Sequence, residues 1–503
     1  MVELDGNSLT IEDVVNVARR RTRFKVAATA LARVAASRRF LEESIESGAT
    51  IYGVNTGIGH LAQVVVARED LVELQRNIVR SHAAGTGPDL SDEEVRAVLF
   101  LKVNLFAKGL SGVRPELVLH LARMLEEDIL PVIPAKGSLG ASGDLAPLSH
   151  VALAAIGEGE VRHHGKRLPA GEALRAAGLE PIELSYKEGL GIINGCQVMA
   201  GRGSLLHHDA TVLWKTAQIV AAAVIDALGA SETPFDPKVH RSRPYPGQLV
   251  VAANLFRMLS GERHRRARVQ DAYSLRCVPQ ILGGIGDAFD DLRRRLDVEL
   301  NAASDNPLVF AEEKQVIAAG NFHGESLALA LDHFGNALAE IASLAERQLN
   351  RLLNPVLSGL PAFLASANGK NSGLMILQYT AASLVSENKI LAHPASVDSI
   401  PVSADQEDHV SMGATAAHMA AEILRNVADV VGVTAMAAAQ AMELQDGSPM
   451  APSTRALLKA VRQVIPFWDQ DRYAAADLRA ASGLVRSGEL LESVEREIGA
   501  LEG

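Results

Sequence analysis

Apolar residues recur at intervals of three and four through the second half of the chain, which is the spacing of one face of an α-helix. From Leu327 onward they fall at Leu331, Phe334, Leu338 and Ile341. A seam of this kind is typical of helices packed in a bundle. The pattern therefore predicts a mostly α-helical fold built on long helices.

Two further segments predict helices of similar length. Residues 194–228 contain no proline, and residues 411–445 are rich in alanine, with larger apolar side chains along one side. At about 1.5 Å per residue, a helix as long as the second would span roughly 50 Å. We expect it to end near Asp446 and Gly447. Helices of this length usually pack against several others, often from neighbouring subunits.

The first half of the chain predicts shorter helices with clear boundary signals. Residues 30–47 form a helical pattern that stops at a glycine. Ser91 and Glu94 form the capping box of a helix that runs to about residue 108. A further helix is predicted over residues 115–130, where Pro131 would end it.

Composition and charge narrow the possible functions. The 503 residues carry a formal net charge of -11, which argues against a nucleic-acid partner. Cys196 and Cys277 are the only cysteines, so we expect neither a disulfide framework nor a thiolate metal site. Residues 1–10 carry Glu3 and Asp5 without an apolar core, unlike a signal peptide, and no apolar run approaches a membrane span. We expect a soluble cytoplasmic protein without a membrane partner.

A segment rich in small residues stands out in the first half. Residues 137–149 read GSLGASGDLAPLS, with three glycines around a central Ala-Ser-Gly. Small residues at this density let backbone atoms approach each other closely. One interpretation is a glycine-rich turn ahead of a helix. A serine nucleophile elbow would need Gly-x-Ser-x-Gly, which the segment lacks, so spacing alone favours the turn.

The same segment resembles the signature loop of the aromatic amino-acid ammonia-lyases, above all the histidine-using members. Further matching segments surround Tyr52, His82, Asn194, Tyr273, Asn321 and Glu407. The resemblance covers most of the chain, and it implies a long-helix bundle of the histidase and fumarase-like type. It also implies a homotetramer whose sites are assembled from several subunits. We expect residues 1–200 to form an N-terminal domain with the motif loops, and residues 201–503 to form the long-helix bundle with C-terminal helices.

The resemblance implies that the loop makes its own electrophile. The amide nitrogen of Gly143 would attack the carbonyl carbon of Ala141, and loss of water would leave a 4-methylidene-imidazol-5-one (MIO) ring. The former side chain of Ser142 would become the exocyclic methylene. An amino-acid substrate needs such activation because its β-proton is barely acidic and ammonia leaves poorly. No external cofactor and no metal are implied.

The resemblance also assigns the residues that handle the proton and the carboxylate. Tyr52 would be the base that removes the β-proton, and the site would have to lower its ordinary pKa of about 10. Arg276 would hold the substrate carboxylate, because a guanidinium matches a carboxylate bidentately. Tyr273 would assist proton handling at the ring, and Gln270 would hydrogen-bond in the site. A buried packing tyrosine and a structural ion pair are the alternatives for Tyr52 and Arg276.

Two further residues are placed around the ring by the same resemblance. Asn194 would polarise the carbonyl oxygen of the ring, although an asparagine at this point could also cap a helix. Phe322 would pack against the substrate, although a core aromatic residue is equally consistent with the sequence.

His82 and Glu407 favour L-histidine as the substrate. Both resemble residues of the histidine-using members, and an imidazole needs polar partners that a phenyl ring would leave unpaired. We therefore expect the elimination of ammonia from L-histidine to give trans-urocanate. The alternatives on the same scaffold are a histidine or aromatic amino-acid 2,3-aminomutase and a phenylalanine or tyrosine ammonia-lyase. A non-enzymatic helical scaffold would leave these polar residues without a purpose, and a helix-capping acid is the alternative for Glu407.

Overall fold

The structure is a computed structural model that describes residues 1–266, 268–365, 369–445 and 447–503. It is mostly α-helical, as predicted. The α-helices are Ile11–Arg19, Ala28–Glu46, Leu71–His82, Asp92–Ala107, Pro115–Glu126, Leu145–Ala155, Ala170–Ala176, Glu188–Ile193, Gln197–Ala227, Pro237–Arg241, Pro246–Met258, Tyr273–Arg276, Val278–Glu299, Glu325–Leu353, Pro355–Ser358, Met375–Leu391, Gly413–Glu443, Pro452–Val464, Ala474–Arg486 and Glu489–Ile498.

The strands are short and pair in small separate sheets. Val2–Leu4 pairs in parallel with Phe24–Val26, and the other sheets are antiparallel. These join Thr86–Asp89 with Pro134–Lys136, Ile129–Pro131 with Glu160–His163 and Lys166–Pro169, and Leu308–Phe310 with Gln315–Ile317. Short 3₁₀ turns occupy Gly59–Leu61, Arg68–Asp70, Thr233–Phe235 and Ala362–Leu364.

The three predicted long helices are confirmed. They run over Gln197–Ala227, Glu325–Leu353 and Gly413–Glu443. The apolar seam of the second is fully buried at Phe334 and Leu338, which explains its spacing of three and four. The third was expected to end near Asp446, which lies outside the described residues.

The boundary signals of the first half are confirmed in two cases and wrong in a third. The helix Ala28–Glu46 ends just before Gly48, as predicted. The Ser91 side chain accepts a hydrogen bond from the Glu94 amide at 3.3 Å, and Glu94 accepts from the Ser91 amide at 2.8 Å. The helix predicted over residues 115–130, however, ends at Glu126. The next residues form the buried strand Ile129–Pro131, which pairs with Glu160–His163. An apolar run of this length fits a buried strand as well as a last helical turn, so periodicity could not separate them.

The chain divides into two compact units, each built from three segments. The first comprises residues 1–208, 292–332 and 394–418, and the second comprises the remainder. All the strands of the described residues lie in the first unit, whereas the second is helical. The expected division into residues 1–200 and 201–503 remains a prediction about domains.

The helix Gln197–Ala227 is long and apolar enough to cross a membrane by composition alone, although the sequence was expected to contain no such run. In the structure, 83% of its most apolar window is buried inside the protein. A helix buried to this extent packs as a core helix of the fold.

An ion pair lies in the interior of the first unit. Lys187 Nζ donates to both carboxylate oxygens of Asp305 at 2.9 Å, and both side chains are fully buried. Asp305 also accepts from the amide of Asn306 at 2.7 Å and from Asn194 Nδ2 at 3.1 Å. Burial without these partners would be strongly unfavourable for a carboxylate.

Lys187→Met should therefore leave the Asp305 charge buried without its cation. We expect the free energy of unfolding to fall by roughly 3–5 kcal/mol, measured by chemical denaturation. Lys166→Met, at an exposed strand position, is the matched control and should change it by less than about 0.5 kcal/mol. Equal denaturation midpoints for the two variants would show that the pair contributes nothing to stability.

Candidate active site

A cavity of about 360 Å³ lies within the first unit. It collects five predicted site residues that are far apart in the sequence. The lining residues are Tyr52, Gly59, Ala62, Ser142, Leu190, Asn194, Asn306, Ala318, Ala319, Phe322, Gln406 and Glu407. The cavity has the size and the few convergent polar groups that are typical of a small-molecule site.

The Ala-Ser-Gly segment forms a tight turn at this cavity. Backbone bridges join Gly143 to both Gly140 and Ala141. Gly140 and Gly143 have φ of +70° and +73°, a region that strains any residue with a Cβ. A Cβ at Gly143 would also stand 2.1 Å from the carbonyl oxygen of Gly195. The turn thus needs glycine at these positions, and its closeness fits the cyclisation of Ala141-Ser142-Gly143.

Gly195 holds the turn through two backbone hydrogen bonds. Its amide donates to the carbonyl oxygen of Ser142 at 3.2 Å, and its carbonyl accepts from the Asp144 amide at 2.8 Å. Ser142 O is the atom that would become the carbonyl oxygen of an MIO ring. A backbone donor is therefore already directed at that oxygen.

Tyr52 is held by a neighbouring glycine loop. Its hydroxyl oxygen accepts from the amide of Gly59 at 3.0 Å. A tyrosine that acts as the base needs a lowered pKa, but within this chain the pKa of Tyr52 is raised, chiefly by burial and further by the charge of Glu407. The Gly59 hydrogen bond opposes the rise without reversing it.

Glu407 reaches the ring-forming serine from a tight reversal of the chain. Ser142 Oγ donates to Glu407 Oε1 at 3.4 Å, and backbone hydrogen bonds pair Glu407 with Val402. The three residues between 402 and 406 have positive φ, a costly conformation outside glycine. Burial raises the pKa of Glu407, whereas the Ser142 hydrogen bond and the His82 charge act against the rise.

His82 ends a helix beside this carboxyl group, although it does not line the cavity. Its Nδ1 lies 2.8 Å from the carbonyl oxygen of Ile78, which can only accept. Nδ1 also lies 3.0 Å from Ser81 Oγ. The tautomer that donates from Nδ1 to the Ile78 carbonyl leaves the lone pair on Nε2.

The side chain of Asn194 is held by two acceptors. Its Nδ2 donates to Asp305 Oδ1 at 3.1 Å and to the carbonyl oxygen of Asn306 at 3.3 Å. Its Oδ1 is buried and has no hydrogen-bond partner among the described residues. The atom that Asn194 leaves for a ligand is thus an acceptor. Its predicted role as donor to the ring carbonyl remains a prediction, and Gly195 N is the donor found at Ser142 O.

Three predicted site residues belong to the second unit and do not line the cavity. Arg276 lies 4.6 Å from the centre of the Tyr273 ring and donates from Nε to the carbonyl oxygen of Asp271 at 2.9 Å. With its amide oriented to satisfy both groups, Gln270 accepts from Arg276 Nε at 3.0 Å. In the described part of the chain Arg276 makes no ion pair. Tyr273 is 70% exposed.

Phe322 lines the cavity, and its carbonyl oxygen accepts from Cys196 Sγ at 3.1 Å. Its packing against the substrate remains a prediction. Next to it, His323, Glu325 and His409 each offer a ligand atom within 4.8 Å of the other two. The His323 Nε2 of this group bonds the carbonyl oxygen of His409 at 3.1 Å, so the group joins two cavity-lining segments.

Sequence reasoning assigned no role to several residues of the site. Asp144 is fully buried and accepts from the amides of Val198 and Met199 at 3.0 Å, which anchors the start of a long helix behind the turn. Burial raises the pKa of Asp144 to about 6. Gly59 and Gln406 line the cavity beside Tyr52 and Glu407. For these two residues and for Asp144, the available signal was that each lies close in the sequence to a predicted site residue.

Comparison with known proteins gives consistent matches over the whole chain. The family profile described as aromatic amino acid lyase matches residues 9–463. Histidine ammonia-lyase from Alkaliphilus oremlandii is 46% identical over 501 residues, which cover 99% of each chain. Histidine ammonia-lyase from Symbiobacterium thermophilum is 47% identical over 505 residues, 100% of this chain and 99% of that protein.

Solved structures match as completely. Tyrosine aminomutase from Streptomyces globisporus superposes with a TM-score of 0.95 at 40% identity and 100% coverage of both chains. Histidine ammonia-lyase from Trypanosoma cruzi gives a TM-score of 0.92 at 39% identity, covering 99% of this chain and 95% of that one.

Proposed function

Because the chain belongs to the aromatic amino acid lyase family, we propose that it is a histidine ammonia-lyase that converts L-histidine to trans-urocanate and ammonia. The observation that carries the choice of substrate is the contact of Ser142 Oγ with Glu407 Oε1 at 3.4 Å. It places a carboxyl group, which needs a polar partner, directly at the ring-forming residue. An imidazole supplies such a partner and a phenyl ring does not.

The electrophile we propose is the MIO ring formed from Ala141, Ser142 and Gly143. Its support is the fit of the tight glycine turn described above, together with the Gly195 donor on Ser142 O. When formed, the ring supplies an electrophilic methylene that makes ammonia a better leaving group. No external cofactor is needed for this chemistry.

Around that ring the chain's own residues bind the substrate and move one proton. Tyr52 removes the β-proton. It lines the cavity, and its hydroxyl oxygen is held by the hydrogen bond from the Gly59 amide. His82 Nε2 accepts from the substrate imidazole, and Glu407 binds the same ring with a carboxyl group that keeps its proton to higher pH than usual. Phe322 packs against the substrate.

The substrate carboxylate is bound by Arg276, with Gln270 and Tyr273 beside it. These three residues contact one another in the second unit, and Arg276 has no carboxylate partner in the described part of the chain. We place them in the site of a neighbouring copy within a homotetramer. A positive charge from that copy would also lower the pKa of Tyr52, as the chemistry requires.

We place the protein in the cytoplasm. Cys196 and Cys277 are both free, which fits a reducing compartment.

A single assay tests the proposed reaction. The purified protein is incubated with L-histidine, and urocanate is followed by its ultraviolet absorbance. The reaction mixture is then analysed for β-histidine, because the structural match to a tyrosine aminomutase makes ammonia re-addition the second candidate function. Urocanate without β-histidine supports the lyase, and β-histidine supports the aminomutase. If neither product forms, the assignment to histidine is contradicted.

Substrate preference should depend on His82 and Glu407. We expect His82→Leu to lower kcat/KM for L-histidine by roughly ten- to a hundredfold, and to shift the preference toward L-phenylalanine. Glu407→Gln should lower histidine turnover without improving phenylalanine turnover, because an amide still leaves polar atoms unpaired against a phenyl ring. His208→Leu is the control, because His208 does not line the cavity. An unchanged histidine-to-phenylalanine ratio in His82→Leu would make the histidine assignment wrong.

A further inference from the structure

A buried lysine lies directly behind the ring-forming turn. Lys102 belongs to the helix Asp92–Ala107, and its side chain is fully buried. Its Nζ donates to the carbonyl oxygen of Asn194 at 2.6 Å and to that of Gly191 at 3.3 Å. An ammonium group in such a position is unfavourable unless it is bonded, and both of these partners are backbone carbonyls. The proposed reaction as described above gives Lys102 no role.

The bond from Lys102 to Asn194 O acts on a peptide group that also touches the turn. Asn194 C=O and Gly195 N–H belong to the same peptide group, and that N–H donates to Ser142 O at 3.2 Å. Lys102 and the Ser142 carbonyl thus lie at the two ends of one peptide group. Hydrogen bonds in such a chain polarise one another, so a cation on the carbonyl makes the N–H a stronger donor.

Ser142 O is an oxygen that must take up negative charge. In ring formation a bond forms between Gly143 N and the Ala141 carbonyl carbon, and the Gly143 proton moves to the Ala141 oxygen. That oxygen leaves as water with the Ser142 amide proton, and Ser142 Oγ leaves as a second water with the Ser142 Cα proton. Loss of the Cα proton places charge on the adjacent carbonyl, Ser142 O. A donor aimed at this oxygen stabilises that charge.

We infer that Lys102 is a positioning residue for this chemistry, which holds and polarises the Asn194–Gly195 peptide so that its N–H stabilises the Ser142 carbonyl oxygen. The inference rests on the proposed ring formation. It assigns Lys102 two effects: faster closure of the ring, and a more strongly polarised carbonyl in the finished ring.

The charges around Lys102 come from several elements. Asp305 and Asp144 favour its charged form, as does Cys196, whereas Lys187 and burial disfavour it. Burial dominates and lowers the pKa of Lys102 to about 7. Lys102 therefore loses its charge as the pH rises through about 7.

The test compares Lys102→Met, which removes the charge, with Lys102→Arg, which keeps it, and uses Lys166→Met as the exposed control. Intact mass reports the loss of two waters in each purified protein. The ultraviolet spectrum of the ring is obtained by subtracting the spectrum of the matching protein that also carries Ser142→Ala. Recording this spectrum between pH 6 and pH 9 reports the polarisation of the ring carbonyl independently of turnover.

In Lys102→Met we expect ring formation to slow by roughly tenfold or more, so that chains of unmodified mass accumulate. The ring absorbance should move to shorter wavelength in this variant and should not titrate. In the wild type the wavelength of the ring absorbance should change with pH near pH 7. In Lys102→Arg this wavelength should stay constant, at the value that the wild type shows at low pH. If Lys102→Met does not fold, the comparison of the wild type with Lys102→Arg decides by itself.

Two results overturn the inference. One is complete loss of two waters in Lys102→Met with the wild-type ring spectrum. The other is a wild-type ring spectrum that does not change through pH 7. A wild-type protein that never loses two waters would instead overturn the proposed ring itself, so the two failures are distinguishable.

Discussion

Ser142→Ala should give a folded protein whose mass equals that of its unmodified sequence and whose ammonia-lyase activity is lost. Without Oγ the second water cannot leave and the methylene cannot form. We expect the first water to be retained as well, because cyclisation is no longer followed by the elimination that completes the conjugated ring. We expect kcat to fall on the order of 10⁴-fold or more, as when a covalently acting residue is removed. The side chain's hydrogen bond is the long one to Glu407 at 3.4 Å, so the fold should tolerate the change.

Intact mass and thermal unfolding of the same samples measure this result. The wild type should weigh two waters less than its sequence, and Ser149→Ala should as well. Ser149 lies on the following helix, where its hydroxyl donates to the carbonyl oxygen of Leu145, and it is not part of the turn. A fully active wild-type preparation of unmodified mass would contradict the MIO proposal.

Tyr52→Phe should keep the ring and lose the base. The phenol oxygen accepts one hydrogen bond, from the Gly59 amide, so phenylalanine fits the same space with one donor left unpaired. We expect kcat to fall roughly 10²–10⁴-fold, the usual contribution of a general base, while intact mass still shows the loss of two waters. Near-normal turnover would place the base elsewhere, with Tyr273 as the next candidate.

The pH dependence follows from the direction of the Tyr52 shift. Burial raises the pKa of Tyr52 within the chain. Where a positive charge from a neighbouring copy lowers it again, the phenolate still increases as the pH rises. For the wild type we therefore expect kcat/KM to increase from neutral to alkaline pH. The residual activity of Tyr52→Phe should lack this increase. A flat wild-type profile would argue against Tyr52 as the base.

Local sequence patterns were sufficient for the long helices and for the tight glycine turn, whereas the ring chemistry was implied only by the family resemblance. The seam at Phe334 and Leu338 predicts its helix because burial of one face imposes the helical period directly on the residues. The glycines at 140 and 143 indicate a backbone conformation with positive φ, which is strained for residues that carry a Cβ. Resemblance to a family then singled out Tyr52 and Glu407, which the fold brings to one cavity.

Tertiary structure alone decided how those residues behave. Periodicity could not show that Ile129–Pro131 is a strand, because its partner lies about thirty residues later. Sequence could not show that the pKa of Tyr52 is raised within the chain. Nor could it show that Lys102 donates to the Asn194–Gly195 peptide group, whose N–H bonds the ring-forming turn. Burial and charge at a site depend on groups from distant parts of the chain, whereas helix formation depends on neighbours three and four residues away.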